Sequence, residues 1–179
     1  MPSVLETIAN LFRPAPYPKD NTTEPAQIIR SKVLVIVYDP VMFATSGDAL
    51  MQESTLHAIL SRMLPLATIL TPNWAEAHFL LGRQTIDPAN LDEEYLATYI
   101  EQLALDLLQF GCQSVLLKGG HVGAQFSQDF WTDGRAKLWF TSARQDSRQT
   151  HGTGCTLSSA IAAGLAKEQD IIDAIVVAK

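Results

Sequence analysis

The chain has 179 residues, 47 % of them apolar and 18 % charged, so it suits one domain or a large part of one, and the composition excludes intrinsic disorder. Thirteen Lys and Arg against nineteen Asp and Glu leave a formal charge of −6, which argues against a general nucleic-acid surface but allows an anion held locally by backbone amides. Two cysteines, Cys112 and Cys155, are too few for a disulfide framework or a metal cluster. No apolar run nears the roughly 18 residues of a membrane span, and an opening with Glu6 and no basic cluster does not read as a secretory signal. The expectation is a soluble, cytoplasmic protein.

Residues 3–12 place Val4, Leu5, Ile8, Leu11 and Phe12 at helical spacing, with Ser3 as N-cap and Glu6 three positions later. Pro14, Pro16, Pro18 and Pro25 then deny regular structure to 13–26, which reads as an exposed loop. Residues 1–32 are thus a helix and a proline-rich loop, and a different pattern begins at 33. The run VLVIVYDPV is apolar on both faces, as in a buried parallel sheet, and ends at Asp39-Pro40. LATIL (66–70) ends in Thr71-Pro72-Asn73, and SVLL (114–117) ends in Lys118-Gly119-Gly120. Helical patterns over 49–63, 73–81 and 91–109 separate these runs, which predicts an α/β domain with a mostly parallel sheet. Alternation across 122–145 around Asp133-Gly134 predicts a hairpin. A glycine-rich segment then opens a small-residue helix, and a last helix spans 170–179.

Four segments carry chemistry. In His151-Gly152-Thr153-Gly154-Cys155 the glycines and the following helix start can present several amides to a phosphate, and a thiolate is favoured at Cys155. The same spacing also fits a glycine-rich turn before a buried helix, with Cys155 as a small core residue. Lys118 ends a strand, where ligands of open parallel sheets gather, and can face a phosphate or simply solvent. Asp39 and Glu76 fall on the same predicted rim and can hold magnesium through water. Alternatively, Asp39 closes an Asx turn and Glu76 completes a capping box with Asn73. A cation, carboxylates and an anion hole on one rim suit phosphoryl transfer.

DPVMFATSGDAL, LPLATILTPNWAEAHFLLG, VLLKGGH and THGTGCTLSSAIAAGLA, in this order, closely resemble the hydroxymethylpyrimidine/phosphomethylpyrimidine kinases of thiamine biosynthesis, members of the ribokinase-like superfamily. The resemblance covers roughly 33–179. Gly-Thr-Gly-Cys, in place of the superfamily's usual Gly-Ala-Gly-Asp, separates the chain from the related pyridoxal kinases. It implies a three-layer α/β/α fold that uses ATP and Mg2+. By resemblance Cys155 is the catalytic base, Gly152, Thr153 and Gly154 form the anion hole, Lys118 faces the ATP phosphates, Asp39 and Glu76 handle magnesium, and Val41 and Met42 touch the pyrimidine. It also implies that the family's N-terminal strands and its glycine-rich Asp-Ser-Gly-Gly-Ala-Gly-type segment are missing, so that the sheet is incomplete on its N-terminal side. The expected partners are the pyrimidine substrate, ATP, and either a second copy or a chain carrying the missing half. Nucleic acid and membrane are not expected. A non-catalytic remnant and a pyridoxal-kinase-like vitamin kinase are the alternatives.

Overall fold

A computed structural model describes residues 35–42, 53–119, 126–143 and 152–179. The expected helix at 3–12, the proline-rich loop at 13–26, His151, Gly120 and His121 lie outside these residues. The three apolar runs form β1 (Val37–Tyr38), β2 (Ile69–Leu70) and β3 (Val115–Lys118). They lie side by side, β1 parallel to β2 and β2 parallel to β3. The first two strands are short, yet their pairing extends beyond them: Ile36 N donates to Thr68 Oγ1 at 3.1 Å, and Thr68 N donates to Ile36 O at 2.9 Å.

The expected hairpin is β4 (Phe126–Thr132) and β5 (Lys137–Ala143), which continues the sheet antiparallel in the order β1-β2-β3-β4-β5. Its turn falls at Asp133-Gly134. Gly134 takes φ 85°, a left-handed conformation that costs glycine nothing. Asp133 Oδ1 accepts from the amides of Arg135 at 2.8 Å and Ala136 at 2.7 Å, and these bonds hold its carboxyl below the usual range.

Between β1 and β2 runs α1 (Glu53–Ala58), which loosens into a π-helical turn over Ile59–Met63 and a 3-10 turn over Leu64–Leu66. Pro65 cannot donate a backbone bond, which accounts for the end of the regular helix close to it. Between β2 and β3 lie α2 (Trp74–Leu80) and α3 (Glu93–Leu108). Asp92 caps α3 by accepting from Tyr95 N at 2.8 Å. After the hairpin come α4 (Thr153–Ala166) and α5 (Ile171–Ala178), the latter capped by Asp170.

Strand alternation sorts the core into two layers. Leu70, Val115, Leu117 and Phe130 pack on one side with Trp74, Leu103 and Leu107 of α2 and α3. Ile69, Leu116 and Trp131 pack on the other with Ile161 of α4 and Ala174 and Ile175 of α5. The result is the expected α/β/α sandwich around a mixed sheet. The carboxyl ends of β1, β2 and β3 share one edge, and that edge carries Asp39, Thr71 and Lys118. Among the described residues, no helix is long and apolar enough to cross a membrane.

Candidate active site

The edge is organised around the Asp39 carboxylate. Its Oδ1 receives Lys118 Nζ at 2.7 Å and the Thr71 hydroxyl at 3.2 Å. Its Oδ2 lies 3.2 Å from the Ser158 hydroxyl of α4. The Asp39 and Lys118 side chains are only 13 % and 14 % exposed, so each ion depends on the other for compensation. Lys118 is itself held by the backbone: its amide donates to Pro72 O at 2.8 Å, and Asn73 and Lys118 form a parallel bridge.

From this position the ammonium reaches the first turn of α4. A Cβ added to Gly154 would lie 2.9 Å from Lys118 Nζ, which puts the ammonium next to the backbone of that turn. Gly152, the N-cap, adopts φ 81° and supplies no side-chain cap. Cys155 stands in this first turn and is exposed.

Asn73 and Glu76 form a full capping box on α2. Glu76 N donates to Asn73 Oδ1 at 2.9 Å, and Asn73 N donates to Glu76 Oε2 at 2.8 Å. Glu76 is nevertheless buried, at 6 % exposure. Burial pushes its carboxyl above the ordinary value. The Asn73 amide and Lys118 pull it down, Asp39 pushes it up, and the Met42 amide lowers it again. Glu76 therefore shares the electrostatic environment of Asp39 and Lys118 while also acting as a cap.

Sequence reasoning placed Asp39, Glu76, Lys118 and the Gly-Thr-Gly-Cys turn on one rim, and the structure brings these groups together. Val41 and Met42 separate: Val41 is 49 % exposed beside Asp39, whereas Met42 is fully buried with Leu70, Trp74 and Leu117. Two contacts were not anticipated. Ser158 follows Gly154 by one helical turn, which is the only signal that it faces the same edge. Asp129 of β4 accepts from Gly119 N at 2.9 Å and from Lys179 Nζ at 2.6 Å. At Gly119 a Cβ would collide with the Gln128 carbonyl, which explains the glycine directly after Lys118. Among the described residues, no three His, Cys, Asp or Glu side chains cluster as a metal site.

The two thiols should behave very differently. Cys112 is 5 % exposed, donates weakly to Leu107 O at 3.6 Å, and burial pushes its thiol up to about 11. Cys155 is exposed at a helix start. Iodoacetamide followed by mass spectrometry should show Cys155 alkylated at least roughly tenfold faster than Cys112. Equal rates would mean that the first turn of α4 is shielded.

Residues 20–179 match the family model described as phosphomethylpyrimidine kinase. A hydroxymethylpyrimidine/phosphomethylpyrimidine kinase of Rhizobium meliloti is 43 % identical over 143 residues, which is 80 % of this chain and 51 % of that protein. Among solved structures, Bacillus subtilis pyridoxal kinase in its ADP complex superposes with a TM-score of 0.66 at 30 % identity, over 78 % of this chain and 50 % of that one. The phosphomethylpyrimidine kinase of Clostridium difficile superposes with a TM-score of 0.59 at 28 % identity, over 79 % of this chain and 52 % of that one. The chain spans about half the length of the curated relatives it matches first.

Proposed function

Because the chain belongs to the phosphomethylpyrimidine kinase family, we propose that it is the phosphate-handling part of a kinase that transfers the terminal phosphoryl group of ATP to hydroxymethylpyrimidine and its monophosphate. The observation that carries this reading is the Lys118 ammonium lying against the Gly154 backbone at the start of α4, with Asp39 behind it. A cation beside a helix start whose N-cap is a glycine suits a polyphosphate, since amides and ammonium act on the same anion. The nucleotide reading gains support from the ADP bound to the Bacillus subtilis relative.

In this reading the phosphates of ATP rest on the amides of Gly152, Thr153 and Gly154, and Lys118 leaves Asp39 to meet them. Cys155, as thiolate, takes the proton of the substrate hydroxymethyl group. The freed oxygen forms a bond to the terminal phosphorus while the bond from that phosphorus to the ADP oxygen breaks, and the proton stays on Sγ. The amides and Lys118 stabilise the charge that develops on the moving group.

Asp39 and Glu76 offer hard oxygen donors without a third protein ligand among the described residues, a set that suits magnesium shared with phosphates and water. When bound there, magnesium would offset the charge of the phosphate oxygens. The two side chains would hold it through water, because Thr71 and Ser158 stay on Asp39 when Lys118 leaves and Glu76 is engaged in its cap. Val41, exposed beside Asp39, is the residue of its pair available to touch the pyrimidine, with Met42 supporting it from the core.

A pyridoxal-type substrate is the second reading, favoured by the likeness to Bacillus subtilis pyridoxal kinase. Gly-Thr-Gly-Cys at 152–155 favours the first. We place the protein in the cytoplasm, with a second copy or a chain supplying the remaining half as its partner.

The first test is nucleotide binding by titration calorimetry. The chain should bind ADP with magnesium, and Lys118→Met should weaken that binding by at least about tenfold, the scale of a hydrogen bond to a charged group. Unchanged affinity in the variant would remove Lys118 from the phosphate site and the reading with it.

A further inference from the structure

Resting on the nucleotide reading above, we propose that Ser158 is a positioning residue that holds Asp39 in place while Lys118 changes partner from Asp39 to a phosphate. Lys118 is the only cation bonded to Asp39 among the described residues, and it is also the group placed to meet a polyphosphate at the start of α4. When it moves, Asp39 becomes a carboxylate with little access to water, close to the buried charge of Glu76. A poorly hydrated carboxylate in that position needs other hydrogen-bond donors to stay fixed. Among the described residues two hydroxyls remain, Thr71 on Oδ1 and Ser158 on Oδ2.

Thr71 Oγ1 also lies 3.4 Å from Tyr38 O, so what sets Ser158 apart is the turn to which its other acceptors belong. Ser158 is 8 % exposed, and its Oγ lies 3.2 Å from Asp39 Oδ2, 3.1 Å from Gly154 O and 3.1 Å from Cys155 O. A hydroxyl carries one proton and serves one acceptor at a time. With Asp39 deprived of Lys118, that proton goes to the carboxylate. With a cation on Asp39, it returns to a carbonyl of its own helix, a bond open to any helical serine. In neither arrangement is a buried hydroxyl left unpaired, so the exchange of Lys118 strands no polar group. Its two helical acceptors are the carbonyls of Gly154 and Cys155, which ties the state of Asp39 to the turn that carries the thiol.

The role predicts a loss that depends on magnesium. ADP binding would be measured by calorimetry for the wild-type chain and Ser158→Ala, once in EDTA and once at saturating magnesium. In EDTA the substitution should raise Kd by about tenfold, since a hydrogen bond to a charged group disappears when Lys118 leaves. At saturating magnesium the loss should shrink to about twofold, because a cation beside Asp39 replaces the missing donor. Ser158→Thr keeps the hydroxyl and should restore the wild-type values. Ser158→Cys keeps the volume with a weaker donor and should reproduce the magnesium-dependent loss even where the alanine variant folds poorly. An equal loss in both buffers, or none, would overturn the proposal and leave Ser158 as a packing residue. Absence of ADP binding by the wild-type chain would instead overturn the nucleotide reading, and this proposal along with it.

Discussion

Replacing Asp129 with alanine should lower the free energy of unfolding by about 3–5 kcal/mol, the usual cost of removing one member of a buried ion pair. The Asp129 and Lys179 side chains are 8 % and 10 % exposed, with Oδ2 and Nζ 2.6 Å apart. Oδ1 of the same carboxylate accepts from the Gly119 amide. The substitution therefore strands an ammonium and orphans a backbone donor in one step. Lys179→Met should cost a similar amount for a different reason. Asp129 sits in β4 opposite Lys118 of β3 and cannot leave the sheet, so its charge would keep only the Gly119 amide. Asp129→Leu combined with Lys179→Met should recover much of the loss, because an apolar pair of similar volume often replaces a buried ion pair without penalty. Urea unfolding of the single and double variants measures this coupling. Strictly additive losses would show that the two groups do not depend on one another. The pair also bears on the site, since it ties α5 to the backbone directly after Lys118.

What the sequence revealed and what it withheld divide along the range of the interaction. The Asn73–Glu76 capping box was legible because a cap is local: two residue types three apart, just after an apolar run. The hairpin turn at Asp133-Gly134 was legible for the same reason, since a positive φ selects glycine. Asp39 and Lys118 are 79 positions apart, and a topological rule placed them on one rim, though not in an ion pair. Both end parallel strands, and parallel strands present their carboxyl ends on one edge. Ser158 to Asp39 spans 119 positions and Lys179 to Asp129 spans 50, and no rule of that kind covers them. A serine in a small-residue helix and a lysine after an apolar helix look alike whether they face water or a buried carboxylate. Met42 shows the opposite error. The resemblance assigned it and Val41 together to the pyrimidine, and the structure separates them, Met42 in the core and Val41 outside. Glu76 forms the local alternative, the cap of α2, and the same buried carboxylate feels Lys118 and Asp39.

Cys155→Ser should lower turnover by about 10²–10⁴-fold, the range attributed to general acid–base catalysis, while leaving ATP affinity within about twofold. The measurement calls for a chain of the relatives' full length, of which this one spans about half. The argument rests on where the thiol stands. Cys155 lies in the first turn of α4, exposed, directly after the Gly154 backbone that Lys118 approaches. Exposure at the start of the helix leaves the sulfur open to a substrate hydroxyl. Serine keeps the size and the hydrogen-bonding reach but holds its proton far too tightly to accept another at neutral pH. The amides of the turn and Lys118 are untouched by the change, so nucleotide affinity should survive it. Cys155→Asp would supply a carboxylate at the same position and should restore more turnover than serine, because an ionised side chain can again take the substrate proton. Serine turnover equal to that of the wild type would mean that the thiol is not the base. The amides of α4 and Lys118 would then account for the rate through charge stabilisation alone.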